Sequence, residues 1–302
     1  MLTGKHVAFI GGDARQLEVI KKCIQLDATV TLIGFDNLES SFTGANKKPL
    51  TCDVLMDVDA LILPIVGTDD KGMIESIFST KSIQLSKEHI EALPEKCVVY
   101  TGMAKPYLRE LIKLHNVPLK ELLNRDDVAI YNSIPTVEGA LMVAIQNTDI
   151  TIHGSEVIVL GLGRVGMSLA RALHALGAHV KVGAKRPEHI ARSNEMGIDA
   201  FDLDDFKQYV SKVDIIFNTI PHLIITSDII AHMPQTAFIL DIASKPGGTD
   251  FRYAERRGIK AILAPSLPGI VAPKTAGQII ANTLARLLSE QAENQGGHHE
   301  QP

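Results

Sequence analysis

The segment VIVLGLGRVGMSLARALHALGAHVKVGAKRPEH, Val157 to His189, decides how the chain is read. It opens on a β-branched apolar run, turns at Gly161-Leu162-Gly163-Arg164-Val165-Gly166, and continues with Leu169, Leu173 and Leu176 at helical spacing. A strand, a G-x-G-x-x-G turn and a helix in that order form a dinucleotide-binding unit. The first glycine permits the tight turn, the second lets a pyrophosphate approach the backbone, and the third lets helix pack on strand. Free N–H groups at the positive end of the helix dipole then face the phosphate. The next strand, HVKVGA, ends in Lys185-Arg186, where an NAD-type pocket has an acid on the ribose 2′-hydroxyl. No acid precedes Glu188, which follows a proline. A carboxylate would repel a 2′-phosphate, whereas Arg offers paired planar donors and Lys a point charge, so the expected cofactor is NADP.

Downstream, VDIIFNTI, AFILDIA and KAILAP read as further strands. Ligands of open α/β sheets sit beyond the carboxyl ends of strands, so Thr219, Ile220 and Pro221 after one strand should flank the ribose and nicotinamide. The same holds for Asp241, Ala243 and Ser244 after the next. Upstream, HVAFIGG, TVTLIGF, DALILPIV, CVVYTG and VAIYNSI give five more strand-like runs, with helix-like stretches such as ARQLEVIKKCIQL between them. Runs apolar on both faces suit a parallel sheet covered by helices. The expected fold is α/β: two Rossmann-like, doubly wound parallel-sheet domains joined by two linking helices, with the NADP cleft between them. The expected division is an N-terminal substrate or partner domain over 1–134, a linking helix over 135–150 with Pro135 in its first turn, and the NADP-binding domain over 151–272. A second linking helix, with Ile280, Leu284, Leu287 and Leu288 on one stripe, covers 273–290, and a disordered tail 291–302. The two adjacent histidines of that tail, His298 and His299, read as solvated, and no metal site is expected. The glycine turn Gly11-Gly12-Asp13-Ala14-Arg15 lacks the full fingerprint; it suits a small anion better than a nucleotide.

The bulk properties narrow the partners. A chain of 302 residues, 45% hydrophobic and 22% charged, can bury a large core, and a net charge of −5 offers no electrostatic grip on nucleic acid or an anionic membrane. Cys23, Cys52 and Cys97 form no C-x-x-C pair and read as reduced thiols. MLTGKHVAFIGG runs into a strand without the features of a leader, and a cytoplasmic location is expected.

Together GGDARQ, GLGRVGMSLARAL and APSLPGIVAPKTAGQIIA resemble the A-subunit family of the dipicolinate synthases of spore-forming bacteria, over essentially the whole chain apart from the polar tail. The resemblance implies NADP-dependent oxidation of dihydrodipicolinate, or of its hydrated precursor 4-hydroxy-tetrahydrodipicolinate, to dipicolinate. It also implies a flavoprotein-like B subunit of dipicolinate synthase as partner, in an oligomer, in the mother cell during sporulation. The layout is also similar to that of the 2-hydroxyacid dehydrogenases, but the turn Ala264 to Gly277 lacks the histidine on which those enzymes depend. An aromatising oxidation needs less help from a base, and positioning does most of the work.

A dicarboxylate substrate calls for cations and hydroxyls. The candidates are Arg15, Lys105, Lys245 and Lys274, with Ser133, Thr136, Ser266 and Thr275; Lys274 and Arg15 lead because each adjoins a helix start. His222, after the NTIP strand end, is the candidate acid or base for water loss, and His222, Lys274 and Ser266 form the expected catalytic group. Two other readings stay open: an NADP-binding sensor or scaffold without its own chemistry, and an NADP-linked hydroxyacid or amino-acid dehydrogenase.

Overall fold

The structure, a computed structural model, describes residues 1–39 and 42–296. It divides into two compact units, Met1–Tyr131 together with the chain from Pro273 onward, and Asn132–Ala272.

In the first unit the strands are β1 (His6–Ile10), β2 (Thr29–Ile33), β3 (Ala45–Lys47), β4 (Ala60–Ile62), the short antiparallel pair β5 (Met73–Ile74) and β6 (Ile83–Gln84), β7 (Val98–Thr101) and β8 (Leu119–Glu121). Six of them make a parallel sheet in the order β3-β2-β1-β4-β7-β8. Alternate side chains leave opposite faces of a strand, so Val7 and Phe9 enter one core while Ala8 and Ile10 enter the other. Both faces are therefore covered, which is why the run HVAFI is apolar throughout. The Pro273–Gly296 helix closes the first of these cores with Ile280, Leu284, Leu287 and Leu288. Gly277 lets it lie against the Ala14–Gln25 helix, since a Cβ there would stand 2.5 Å from the Arg15 carbonyl oxygen.

The second unit repeats the plan with β9 (Glu156–Leu160), β10 (His179–Ala184), β11 (Asp199–Asp202), β12 (Ile215–Asn218), β13 (Phe238–Asp241) and β14 (Lys260–Leu263). Their order is β11-β10-β9-β12-β13-β14, parallel throughout. Both sheets thus have the doubly wound order in which the chain reverses direction beside the first strand. Val157 and Val159 serve one core, Ile158 and Leu160 the other. Fully buried side chains such as Phe217 contribute about 1.5–3 kcal/mol each to that packing.

Several expectations need correction. VAIYNSI is not a strand: Val128 to Ile134 lies inside a helix, Asp126–Asn147. The linking helix accordingly begins before Pro135, which sits in its interior rather than its first turn, and ends at Asn147. Without an N–H, Pro135 leaves the carbonyl of Tyr131 without its helical partner, and the next carbonyl, of Asn132, accepts from the Thr136 hydroxyl at 2.8 Å. This 22-residue helix is the one among the described residues long and apolar enough to cross a bilayer by length and composition alone. Val128, Val137, Ala140 and Ala144 of it are buried, as in a core helix. The C-terminal helix runs on to Gly296, past the expected start of the tail, and His298 and His299 lie outside the described residues. The strands β3, β8 and β11 escape sequence reading: their segments ANK, LKE and DAFD are short and polar because they form or adjoin sheet edges.

Candidate functional site

The turn after β9 owes its shape to what its glycines exclude. Gly161 has φ +90°, and a side chain there would start 2.6 Å from Thr219 Oγ1. A Cβ on Gly166 would stand 2.0 Å from the carbonyl oxygen of Gly161, so only glycine lets the Arg164–Ala175 helix press against the strand end. Gly163 differs: nothing lies within 4 Å of where its Cβ would be. It caps a helix that has no side-chain cap and no acid in its first turn, so the helix N–H groups remain for a ligand. One glycine shapes the turn, one brings the helix close, and one faces open space. The turn thus has the steric features that a dinucleotide cradle would require, and Arg164 and Val165 lie in the first turn of the helix that follows.

The strand ends beside it are tied together through buried polar groups. The Thr219 hydroxyl donates to the Leu160 carbonyl at 2.8 Å, joining the turns after β12 and β9. Asn218, fully buried, accepts from the Ile220 N–H and donates to the Ile220 carbonyl, each at 3.0 Å. That pair fixes the turn that carries Thr219, Ile220 and Pro221. Asp241, also fully buried, accepts from Ala243 N–H at 3.1 Å and from both Gly248 N–H and Thr249 Oγ1 at 2.7 Å. Gly248 in turn accepts from the N–H groups of Ile224 and Ile225 at 2.9 Å, so the loops after β12 and β13 form one surface. His222, Ser244 and Lys245 are exposed on these loops.

At the end of β10 the expected cationic corner is half occupied. Lys185 pairs with Asp204 and, at 3.5 Å, with Asp202, both at or just beyond the end of β11. The Asp204 hydrogen bond, aided by the field of Asp202, raises the Lys185 pKa above its ordinary value. Arg186 is exposed and makes no side-chain hydrogen bond or ion pair among the described residues. Arg186 is therefore the uncommitted cation of the pair.

The remaining candidates are dispersed. Ser133 is buried with its hydroxyl 2.8 Å from that of Ser168, and Thr136 is bonded back to its own helix. Ser266, at φ +63°, is exposed at the start of the Leu267–Val271 helix. Arg15, Lys105, Lys274 and Thr275 belong to the first unit. Lys105 precedes the Pro106–Leu114 helix, and Lys274 and Thr275 stand in the first turn of the Pro273–Gly296 helix. Arg15 is turned back on Asp13, with Nε 3.0 and 3.1 Å from the two carboxylate oxygens and Nη2 on one of them. Burial works to raise the Asp13 pKa, but the Arg15 hydrogen bonds and charge outweigh it and hold the carboxylate below its usual range.

The glycine turn of the first unit is closed to a pyrophosphate. The N–H of Gly12 donates to the Glu75 carbonyl at 2.9 Å and its own carbonyl accepts from Ile77. A Cβ on Gly11 would stand 2.7 Å from the same Glu75 oxygen. The segment between β5 and β6 thus covers the turn that corresponds to Gly161–Gly166 of the other sheet. Sequence reading alone does not find Asp202, Asp204 or Thr249, whereas Asn218 stands in it at the strand end that carries Thr219, Ile220 and Pro221.

Residues 6–123 match the family model described as the N-terminal domain of the dipicolinate synthase A subunit, and residues 132–300 that described as alanine dehydrogenase/PNT, C-terminal domain. Over 290 residues the chain is 51% identical to the A subunit of dipicolinate synthase from Bacillus subtilis (strain 168), covering 96% of this chain and 98% of the relative. The chain belongs to the dipicolinate synthase A-subunit family. A crystal structure of a family member from Bacillus halodurans, 55% identical, superposes with a TM-score of 0.93 over 95% of this chain and 99% of that one. A transhydrogenase from Sinorhizobium meliloti, 17% identical with a TM-score of 0.65 over 95% and 94% of the two chains, shares the fold. The model matched by residues 132–300 is of the dehydrogenase type that binds a nicotinamide cofactor, and the Gly161–Gly166 turn lies within that match.

Proposed function

We propose that the chain is the nicotinamide-dependent oxidising component of a dipicolinate synthase, acting with a flavoprotein-like B subunit during sporulation in the mother-cell cytoplasm. The observation that carries the reading is the cradle: Gly161 and Gly166 are sterically required while Gly163 fronts open space. NADP is the preferred cofactor on this reading, and Arg186 supports it more than Lys185, whose charge Asp202 and Asp204 already offset.

The reaction removes a hydride and a proton from a dihydropyridine dicarboxylate and leaves an aromatic ring. When bound, the nicotinamide supplies the hydride acceptor. The protein's part is to hold the ring and exclude alternatives. Thr219 and Ile220, fixed by Asn218 and the Leu160 carbonyl, and Ala243 and Ser244, fixed by Asp241, would border the cofactor. Lys245 and Ser266, both exposed, are the cation and hydroxyl of the second unit available to the substrate carboxylates. Where the substrate is the hydrated precursor, His222 is the candidate acid or base for loss of water.

The test is appearance of reduced-nicotinamide absorbance with purified chain, NADP and enzymatically generated substrate, with and without the B subunit. Turnover with NADP supports the reading. Cofactor binding without turnover under either condition points to a sensor or scaffold, and consumption of NADPH with simple 2-oxo acids to an ordinary hydroxyacid dehydrogenase.

A further inference from the structure

The first unit contains a cavity of about 580 Å³ at the carboxyl ends of β2 and β3, bounded by β6 and the Lys87–Glu91 helix. Its volume and its place at the strand ends are those of a small-molecule site. It lies wholly within this unit, and the proposed oxidation does not use it. Its accessible apolar wall includes Pro49, exposed, and Leu50, half-buried, whereas the Phe35 ring is fully buried in the core and stacks on Phe78 at 5.3 Å between ring centroids.

The polar rim is cationic on a chain whose net charge is −5. Lys47, Lys48 and Lys81 line the cavity against one acid, Asp36. That acid is already satisfied: one oxygen accepts from Ser79 at 2.7 Å and the other from Lys81 at 3.1 Å. Lys48 is exposed and has no side-chain hydrogen bond or ion pair among the described residues. Lys47 spends one donor on the Leu38 carbonyl at 2.7 Å and keeps its charge. His89 adds a directed donor. Its Nδ1 accepts from the Ser86 N–H at 3.1 Å, so the proton sits on Nε2. Burial, only partly offset by Glu88, keeps its pKa below the ordinary histidine value.

The same corner of the second sheet carries the opposite arrangement, with Lys185 at the end of β10 facing Asp202 and Asp204 at the end of β11. In the first unit an acid follows β2 and lysines end β3. Because Glu75 holds the Gly12 amide, a dinucleotide has no pyrophosphate seat there, and the ligand must be smaller.

We propose that this cavity is a second ligand site, for a compact organic dianion with a flat apolar body, its negative groups on Lys47, Lys48 and Lys81 and its ring against Pro49 and Leu50. A nucleoside monophosphate and an aromatic dicarboxylate share that chemistry. A dicarboxylate ligand would make the cavity a site through which end product or precursor reports on the enzyme.

The experiment is isothermal titration of the full chain, saturated with nicotinamide cofactor, using AMP in one arm and pyridine-2,6-dicarboxylate in the other. The companion is the double variant Lys48→Glu with Lys81→Glu, which reverses two exposed charges and is checked for an unchanged melting temperature. Saturable binding of either probe, weakened about tenfold or more in the double variant and weakened by added salt, is expected. Binding by AMP alone assigns a nucleotide, and by the dicarboxylate alone an aromatic diacid. No saturable heat from either probe at millimolar concentration, or equal affinity in the double variant, overturns the proposal. Should the chain bind no nicotinamide cofactor, the probe titrations still stand, so the two readings fail separately.

Discussion

The buried carboxylate of Asp241 accepts a hydrogen bond from the backbone N–H of Gly248 at 2.7 Å, seven residues along the chain. With Ala243 and Thr249 as further donors, this one side chain sets the loop that presents Ser244 and Lys245. Asp241→Asn keeps the shape but turns an NH₂ toward at least one N–H or hydroxyl donor. It should lower the urea-unfolding free energy by about 1–3 kcal/mol and weaken cofactor binding. Wild-type stability in the variant would show that the loop is held otherwise.

Two glycines of the cradle should separate folding from binding. Gly163→Ala adds a methyl in open space, so its melting temperature should stay near wild type while cofactor affinity falls about tenfold or more. Gly166→Ala drives a Cβ into the Gly161 carbonyl and should lower both together. Calorimetric titration beside a thermal melt distinguishes the cases, and tight binding by Gly163→Ala would remove the cradle from consideration.

Cofactor choice should follow charge at the end of β10. Arg186→Ala is expected to weaken NADP about tenfold or more and leave NAD nearly unchanged. Asp202→Asn with Asp204→Asn should move Lys185 into play and tighten NADP. Equal affinities for NAD and NADP in the wild type would refute the assignment of the 2′-phosphate to this corner.

Acid should expose the contribution of Asp59, which accepts from the His6 N–H and pairs with Lys96 at 2.9 Å and Lys5 at 3.5 Å. Burial raises its pKa, but the His6 hydrogen bond and the two lysines outweigh that and hold it below the ordinary aspartate value of 3.8. A depressed folded pKa gives stability that is complete above the unfolded value and lost as pH falls through the folded one. The stability gap between wild type and Asp59→Asn should therefore be constant at neutral pH and close below about pH 4. A gap that closes between pH 6 and pH 8 would contradict this account.

Thiol reactivity should be selective. Cys23 and Cys97 are buried, and burial pushes both pKa values up to about 12. Cys52 is partly accessible. An aromatic disulfide reagent should titrate one thiol in the native chain and all three in denaturant. Rapid native reaction of more than one would show that the first sheet opens readily.

The strands legible in the sequence are those buried on both faces, where burial itself demands β-branched runs: HVAFI, EVIVL and IIFN could hardly be read otherwise. Edge segments such as ANK and LKE carry no such demand. VAIYNSI misleads because its apolar residues suit a buried helix as well as a strand, and Pro135 suggests a helix start that lies nine residues earlier, at Asp126. The cradle is legible because its glycines obey local sterics. The neutralisation of Lys185 is not, since Asp202 and Asp204 meet it only through the pairing of β10 with β11. Arg15 looks like an open cation in sequence, yet its neighbour Asp13 engages it.

The loop that seals Gly12 also settles a matter of stoichiometry. Although the chain repeats one topology, only one of its two halves keeps the backbone amides that a diphosphate requires. Equilibrium dialysis should therefore saturate at a single equivalent of pyridine nucleotide per polypeptide, and the earlier half is free to answer to a different metabolite.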